Sequence, residues 1–191
     1  MAPRHREFDR DEVVLKAMTV FREKGYEGTS MQDLVKHMGI NRFSLYATFN
    51  SKHDLFVEAL QMYYDNIAVP FFDRLRTSEA GLKMVETVLT ELVNSGASFN
   101  GCLLCNTIAE LGATAEPRTK RILKKYLKLV EDDFRAAIER AKELGEIGPD
   151  VDTGRYAKVL TKYSTGLLSA AKVMSEREAR ESVRAMVGAI Q

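Results

Sequence analysis

The chain has 191 residues, 45% apolar and 29% charged, with a formal net charge of +1. That length buries a full core, and the near-neutral balance excludes a protein that holds nucleic acid by gross charge, so any such surface must be a local patch. Two cysteines are too few for a secreted disulfide scaffold, the polar start from Met1 to Arg10 argues against a signal peptide, and no run nears the ~20 apolar residues of a membrane span, so a cytoplasmic protein with no membrane partner is expected.

Helical periodicity recurs along the chain and strand alternation does not, which predicts an all-α fold of about nine helices. The first runs from Asp9 to Lys24, with Val13, Val14, Ala17, Met18 and Phe21 as its stripe, Asp9 and Glu12 as a capping box and Gly25 as its stop. A short second helix is capped by Ser30 with Asp33, turns Leu34, Val35 and Met38 inward and ends at Gly39. Asn41 caps a third, from Arg42 to about Thr48. Ser51 with Asp54 opens a long fourth, which Pro70 bends or interrupts. A fifth helix is expected from Ser78 to about Asn94, then a loop from Asn94 to Gly101. Cys102 to Gly112 forms a sixth. Pro117 starts a long seventh that reaches Leu144, and an eighth runs from Asp152 to Met174. Ser175 and Glu178 cap the last, which carries Ala179, Val183, Met186, Val187 and Ile190 on one side.

The second and third helices, short and joined at Gly39, have the make-up of a helix-turn-helix. Glycine permits the tight turn, and Ile40 and Leu45 face inward and set the angle between the helices. The start of the third helix is then free to enter a major groove. Arg42 stands there and can donate two hydrogen bonds to a guanine edge. Asn41, Ser44, Tyr46 and Thr48 suit phosphates, and Lys52 sits where an ammonium and a helix N-terminus hold the same phosphate. Phe43 can touch a thymine methyl or pack on the sugar backbone. From Leu34 to His53 there are three Lys/Arg and no Asp or Glu, so this window carries +3 while the whole chain carries +1.

The order of residues adds to this pattern. Phe21 and Gly25-Tyr26-x-Gly28-Thr29-Ser30 precede Gly39-Ile40-Asn41-Arg42-x-Ser44-Leu45-Tyr46-x-x-Phe49-x-Ser51-Lys52-x-x-Leu55. This segment closely resembles the TetR family of bacterial transcriptional regulators, from about Asp9 to Leu60. The resemblance implies an all-helical homodimer with a three-helix DNA-binding head over 1–53 and a body for effector binding and dimerisation over 54–191. It implies that Thr29, Tyr46 and Lys52 hold phosphates, with Ser30 beside Thr29 in the contacting set, and that residues around Arg42 read bases of a double-stranded, palindromic operator. The expected function is a ligand-responsive regulator of the repressor type, released from DNA by a small-molecule or electrophile effector. Relatives often carry a small residue in place of Phe43 and a histidine in place of Thr48, which puts a transferred operator sequence in doubt.

In the body, Gly101-Cys-Leu-Leu-Cys-Asn106 with Glu110 resembles a subgroup of TetR regulators, some of which answer electrophiles or oxidants through a cysteine there. Cys102 as a reactive thiol with Cys105 as its resolving partner is one reading; two buried small hydrophobes on an apolar helix is the other. A zinc site needs two further ligands, and His5, His37 and His53 all fall in or near the head, so no metal and no cofactor are expected. His37 and His53 read as surface or phosphate-proximal residues. Met62, Tyr63, Phe71, Phe72, Met84, Ile108, Tyr126, Phe134 and Tyr163 are candidates to line a pocket for an unidentified small molecule, or are plain core. Six basic residues from Arg118 to Lys128 form either a second DNA contact or a solvated face. Tyr156, Leu160, Tyr163, Leu167, Val183, Met186 and Val187, among small residues such as Gly166 and Ser169, suit either a two-chain four-helix interface or intrachain core. No catalytic motif is present, so an enzyme is not expected. A helical interaction module or an enzyme without DNA binding is the alternative, and neither explains the acid-free window around Arg42.

Overall fold

The computed structural model describes residues 8–77, 79–98 and 101–190, and of residues 95–98 the backbone alone. Among the described residues there are nine helices and no strand. α1 is Arg10–Lys24, α2 Met31–Met38 and α3 Arg42–Phe49. α4 begins as Lys52–Tyr63 and continues as one rod through a π turn at Tyr64–Ala68, Val69–Asp73, and a 3-10 turn at Arg74–Arg76. α5 is Leu82–Ser98, α6 Leu103–Leu111, α7 Pro117–Glu143, α8 Thr153–Ala170 and α9 Glu176–Gly188.

Most helix starts lie where side-chain oxygens can take the orphan N–H groups of a first turn. Ser30 with Asp33, and Ser175 with Glu178, form complete capping boxes. Asn41 accepts from the Ser44 N–H at 2.8 Å, and Ser51 accepts from the Asp54 N–H at 3.0 Å. Asp9 caps α1 through the Asp11 and Glu12 N–H groups, but the expected return arm is replaced: Glu12 instead pairs with Lys16 at 2.6 Å. Gly39 ends α2 in the left-handed region, φ +71°.

Three boundaries depart from expectation for physical reasons, and the expected disturbance at Pro70 takes the form of a π turn. Pro70 has no N–H and crowds the carbonyl four residues back, and the rod widens to a π turn just before it, with the Val69 N–H reaching the Tyr64 carbonyl. α5 starts at Leu82; Ser78 lies outside the described residues. Its cap is distant, since Glu146 accepts from the Leu82 N–H at 2.8 Å. Helical backbone persists through Ser98, so the loop expected from Asn94 is shorter; Phe99 and Asn100 lie outside the described residues. α8 stops at Ala170, and residues 171–174 close back as a turn, with Val173 and Met174 both donating to the Ala170 carbonyl.

α1, α2 and α3 bury Val14, Phe21, Leu34, Met38, Leu45 and Phe49. α4 packs along α1 and runs unbroken past residue 53, so head and body share a helix. In the body, α7 packs on α8 and α5 on α9. No helix among the described residues is long and apolar enough to cross a membrane. Phe134, a pocket candidate, is a core residue, 0% exposed, with its ring 6.1 Å from Phe72. Phe134→Ala is expected to cost about 3–5 kcal/mol, read as a lower denaturant midpoint; a loss under about 1 kcal/mol would place it outside the core.

Candidate nucleic-acid interface and body cavity

α3 is amphipathic in a way that serves a head. Leu45 and Phe49 turn inward and are 0% and 1% exposed. Arg42, Phe43, Tyr46 and Ala47 face solvent. The Arg42 guanidinium lies 5.7 Å from the Tyr46 ring centroid one turn on, which steers the cation along the helix face. Phe43 is 75% exposed, an aromatic ring left in water beside a guanidinium.

Other expected DNA contacts carry internal duties. Asn41 spends its side-chain oxygen on the α3 cap, and Ser30 on the α2 cap. The Thr48 hydroxyl donates to the Ser44 carbonyl at 2.8 Å. Thr29 is 1% exposed, and its hydroxyl donates to the Gly25 carbonyl at 2.5 Å. The Lys52 ammonium donates to the carbonyls of Tyr26 and Thr29 at 2.9 and 3.0 Å and stands 4.3 Å from the Tyr26 ring centroid. These groups brace the α1–α2 turn and the helix starts around α3. Asp33 adds to that bracing: hydrogen bonds from Lys24 and then Ser30 hold its carboxyl well below the usual carboxylate range.

His53 is placed at the seam between head and body, its Nε2 3.1 Å from the Thr119 hydroxyl and its Nδ1 3.3 Å from Glu116. Of the basic run on α7, Arg118 pairs with Asp54, Lys120 donates to the Ala113 carbonyl, Lys125 lies over the Tyr64 ring and Lys128 pairs with Asp132. Much of that run is therefore engaged within the chain. No group of three or more metal-ligating side chains occurs among the described residues.

The body carries a half-open cavity of about 310 Å³, walled by Tyr63, Ile67, Phe71, Phe72, Leu92 and Tyr126, with Ala68, Leu168, Gly101, Cys102 and, from α1, Arg22 at its edge. Four expected residues meet there: Tyr63, Phe71, Phe72 and Tyr126. Met62, Met84, Phe134 and Tyr163 do not line it. Ile108 lines a separate recess of about 320 Å³ with Cys105, Leu127, Lys162 and Gly166, and Tyr163 instead meets Ser182 at 2.5 Å, tying α8 to α9. Sequence reasoning missed Arg22, because α1 reads as part of the head and its last turn gives no sign of reaching the body.

Cys102 and Cys105 are buried free thiols on α6, and they open to different spaces, Cys102 to the cavity and Cys105 to the recess. Cys102 occupies the N-cap of α6. The neighbouring Cys105 thiol leads the effects on it and, against the cost of burial, lowers the Cys102 thiol to about 6. Donating to Cys102, then burial, pushes the Cys105 thiol well up. Burial first of all keeps the Tyr63 and Tyr126 phenols protonated.

The four side chains Leu160, Leu167, Val183 and Val187 are between 0% and 8% exposed in the single chain. They are spent largely on intrachain core. Tyr156, Tyr163 and Met186 are half-buried.

Comparison with known proteins agrees with this arrangement. Residues 14–59 match the family described as bacterial regulatory proteins, tetR family, and residues 81–187 match the tetracyclin repressor-like C-terminal domain. The uncharacterized HTH-type transcriptional regulator YezE of Bacillus subtilis is 34% identical over 179 residues, covering 92% of each chain. The HTH-type transcriptional repressor BdcR of Escherichia coli is 27% identical over 90% of this chain and 89% of its own. A cysteine mutant of the TetR-family regulator CifR, solved with 26-bp double-strand operator DNA, superposes with a TM-score of 0.81 at 30% identity, over 97% of this chain and 98% of that one. The chain belongs to the TetR family of bacterial transcriptional regulators.

Proposed function

We propose that this regulator acts in the cytoplasm as a homodimeric repressor without catalytic activity, reading a two-fold symmetric operator through α3 and leaving it when a small effector fills the body cavity. The observation that carries this reading is the outward face of α3, where Arg42, Phe43 and Tyr46 are exposed above a braced head. Arg42 supplies base readout, Phe43 an apolar contact to a thymine methyl or sugar, and Tyr46 a phosphate contact. Lys52, Thr29, Ser30 and Asn41 support the reading chiefly by holding the turn and the helix starts, with Ser44 at the helix edge and Thr48 bonded within α3. That the CifR mutant is complexed with double-strand operator DNA supports DNA as the partner. Two heads on one dimer would meet half-sites about 34–36 Å apart, or a multiple of that.

For pairing, α8 keeps one face open. Val159 is 42% exposed and Val173, just past its end, 90%, with Lys162, Gly166 and Ser169 exposed between them. A Cβ on Gly166 would meet nothing within 4 Å, so a side chain there leaves the single chain undisturbed. The half-buried Tyr156, Tyr163 and Met186 border this face in the proposed interface.

The cavity suits a small, largely apolar effector, since its volume is at the low end of ligand pockets. The polarised Cys102 favours a second, chemical form of the signal. An electrophilic effector would be attacked by its sulfur at an electron-poor carbon. An oxidant would take two electrons from the pair as the Cys102 thiolate and the Cys105 thiol form an S–S bond, with the Cys105 proton released.

Three measurements test these points. Arg42→Ala should cost about 1–3 kcal/mol of discrimination between a selected operator and its mismatched variants; unaltered selectivity would remove Arg42 as base reader. Gly166→Arg should leave the helical content intact and convert the protein to a monomer by light scattering, whereas an intact dimer would move the interface elsewhere. Alkylation of Cys102 by iodoacetamide, followed by mass spectrometry, should rise with pH through about 6 and level off above it, because the thiolate reacts and its folded-state pKa is lowered. Cys105 should lag at every pH, and a Cys102 profile centred near the ordinary thiol value of about 8.5 would discard the thiol reading.

A further inference from the structure

The turn joining α1 to α2, from Gly25 to Ser30, is held from two sides. Within the head, Lys52 takes its carbonyls, those of Tyr26 and Thr29. From the body, Glu110 in the last turn of α6 takes its N–H groups: Tyr26 donates at 3.0 Å and Glu27 at 2.8 Å. Gly25 makes this possible twice over. Its φ of +74° lies where side chains are strained, and a Cβ on it would lie 2.7 Å from a Glu110 carboxylate oxygen. Two successive N–H groups after such a residue form a backbone nest for an anion.

A body carboxylate held against a head that must approach phosphates is unfavourable by long-range electrostatics. Its two hydrogen bonds to the head give it a reason to be there. The helix that carries it begins at the cavity, where Gly101 and Cys102 are part of the wall. Glu110 is eight residues on from Cys102, about 12 Å along the helix.

We infer that Glu110 is a positioning residue for DNA recognition. It fixes the α1–α2 turn, and through it α2 and α3, in the pose that meets DNA, and it ties that pose to the helix that walls the cavity. The inference rests on the reading of the head as the DNA-binding part.

The test uses the full chain and DNA enriched by the wild type from a random duplex pool. Glu110→Ala should bind that DNA about ten-fold or more weakly at fixed salt, with an unchanged salt slope because no phosphate contact is lost. In NMR-detected exchange the Tyr26 and Glu27 amides should exchange faster, while amides in the middle of α7 keep their protection. Glu110→Gln retains one acceptor oxygen at the same reach and should fall between wild type and Ala. An acid with no positioning role would give the opposite sign, since losing its charge favours DNA. Glu110→Ala binding as tightly as the wild type or tighter, or unchanged exchange at Tyr26 and Glu27, overturns the inference while leaving DNA binding by the wild type intact. If the wild type enriches no sequence, the reading of the head falls and the inference falls with it.

Discussion

A carboxylate of α6 and an ammonium of α4 meet across the backbone of one six-residue turn, and the orientation of the head depends on that meeting. The turn has N–H groups and carbonyls that no helix satisfies. Glu110 takes the N–H groups of Tyr26 and Glu27, and Lys52 takes the carbonyls of Tyr26 and Thr29. Charge-assisted hydrogen bonds of this kind are stronger than neutral ones. The Tyr26 ring, 4.7 Å from Phe56 and beneath Lys52, packs the same turn against α4. With the turn fixed, α2 leaves it at a set angle, Gly39 sets the next, and α3 presents Arg42, Phe43 and Tyr46 to solvent.

The division of labour within the head follows from where polar groups are spent. Thr29, Ser30, Asn41, Thr48 and Lys52 are hydrogen-bonded within the chain. Arg42 lies over the ring of its own Tyr46 and Phe43 stands in water. In the proposed mechanism the first group preorganises the surface and the second meets DNA, so little order has to be created on binding. The cavity touches this system at two places. Arg22 reaches it from α1, and Gly101 and Cys102 reach it from the start of α6. An occupant would press on both the head helix and the helix that grips the turn.

The sequence was most legible where structure is local. Ser30 with Asp33, Asn41, Ser51 and Ser175 with Glu178 cap their helices as local patterning predicts, because a cap needs only residues within one turn. The stripe of α1 and the inward Leu45 were equally readable from 3.6-residue spacing. What failed was long-range. The cap of α5 comes from Glu146, 64 residues away, and nothing near Leu82 announces it. An apolar stripe says that a side chain is inward but not whether a cavity or a neighbour lies beyond it, so Tyr63 and Tyr126 line the cavity while Phe134 is core. The same ambiguity put Leu160 and Val183 at a subunit interface when the chain buries them by itself. The part Lys52 plays within the chain was equally hidden, because the carbonyls it serves lie 23 and 26 residues upstream.

The central claim is that the head recognises a particular DNA sequence through α3 of a paired molecule. Selection of duplexes from a random pool by the intact protein, followed by footprinting of the winners, tests it most directly. The expected result is enrichment of a two-fold symmetric site with protected half-sites one helical turn apart or a multiple of it, bound with a steep negative dependence on salt. Retention of DNA without any enriched sequence, or no retention at low salt, would contradict it.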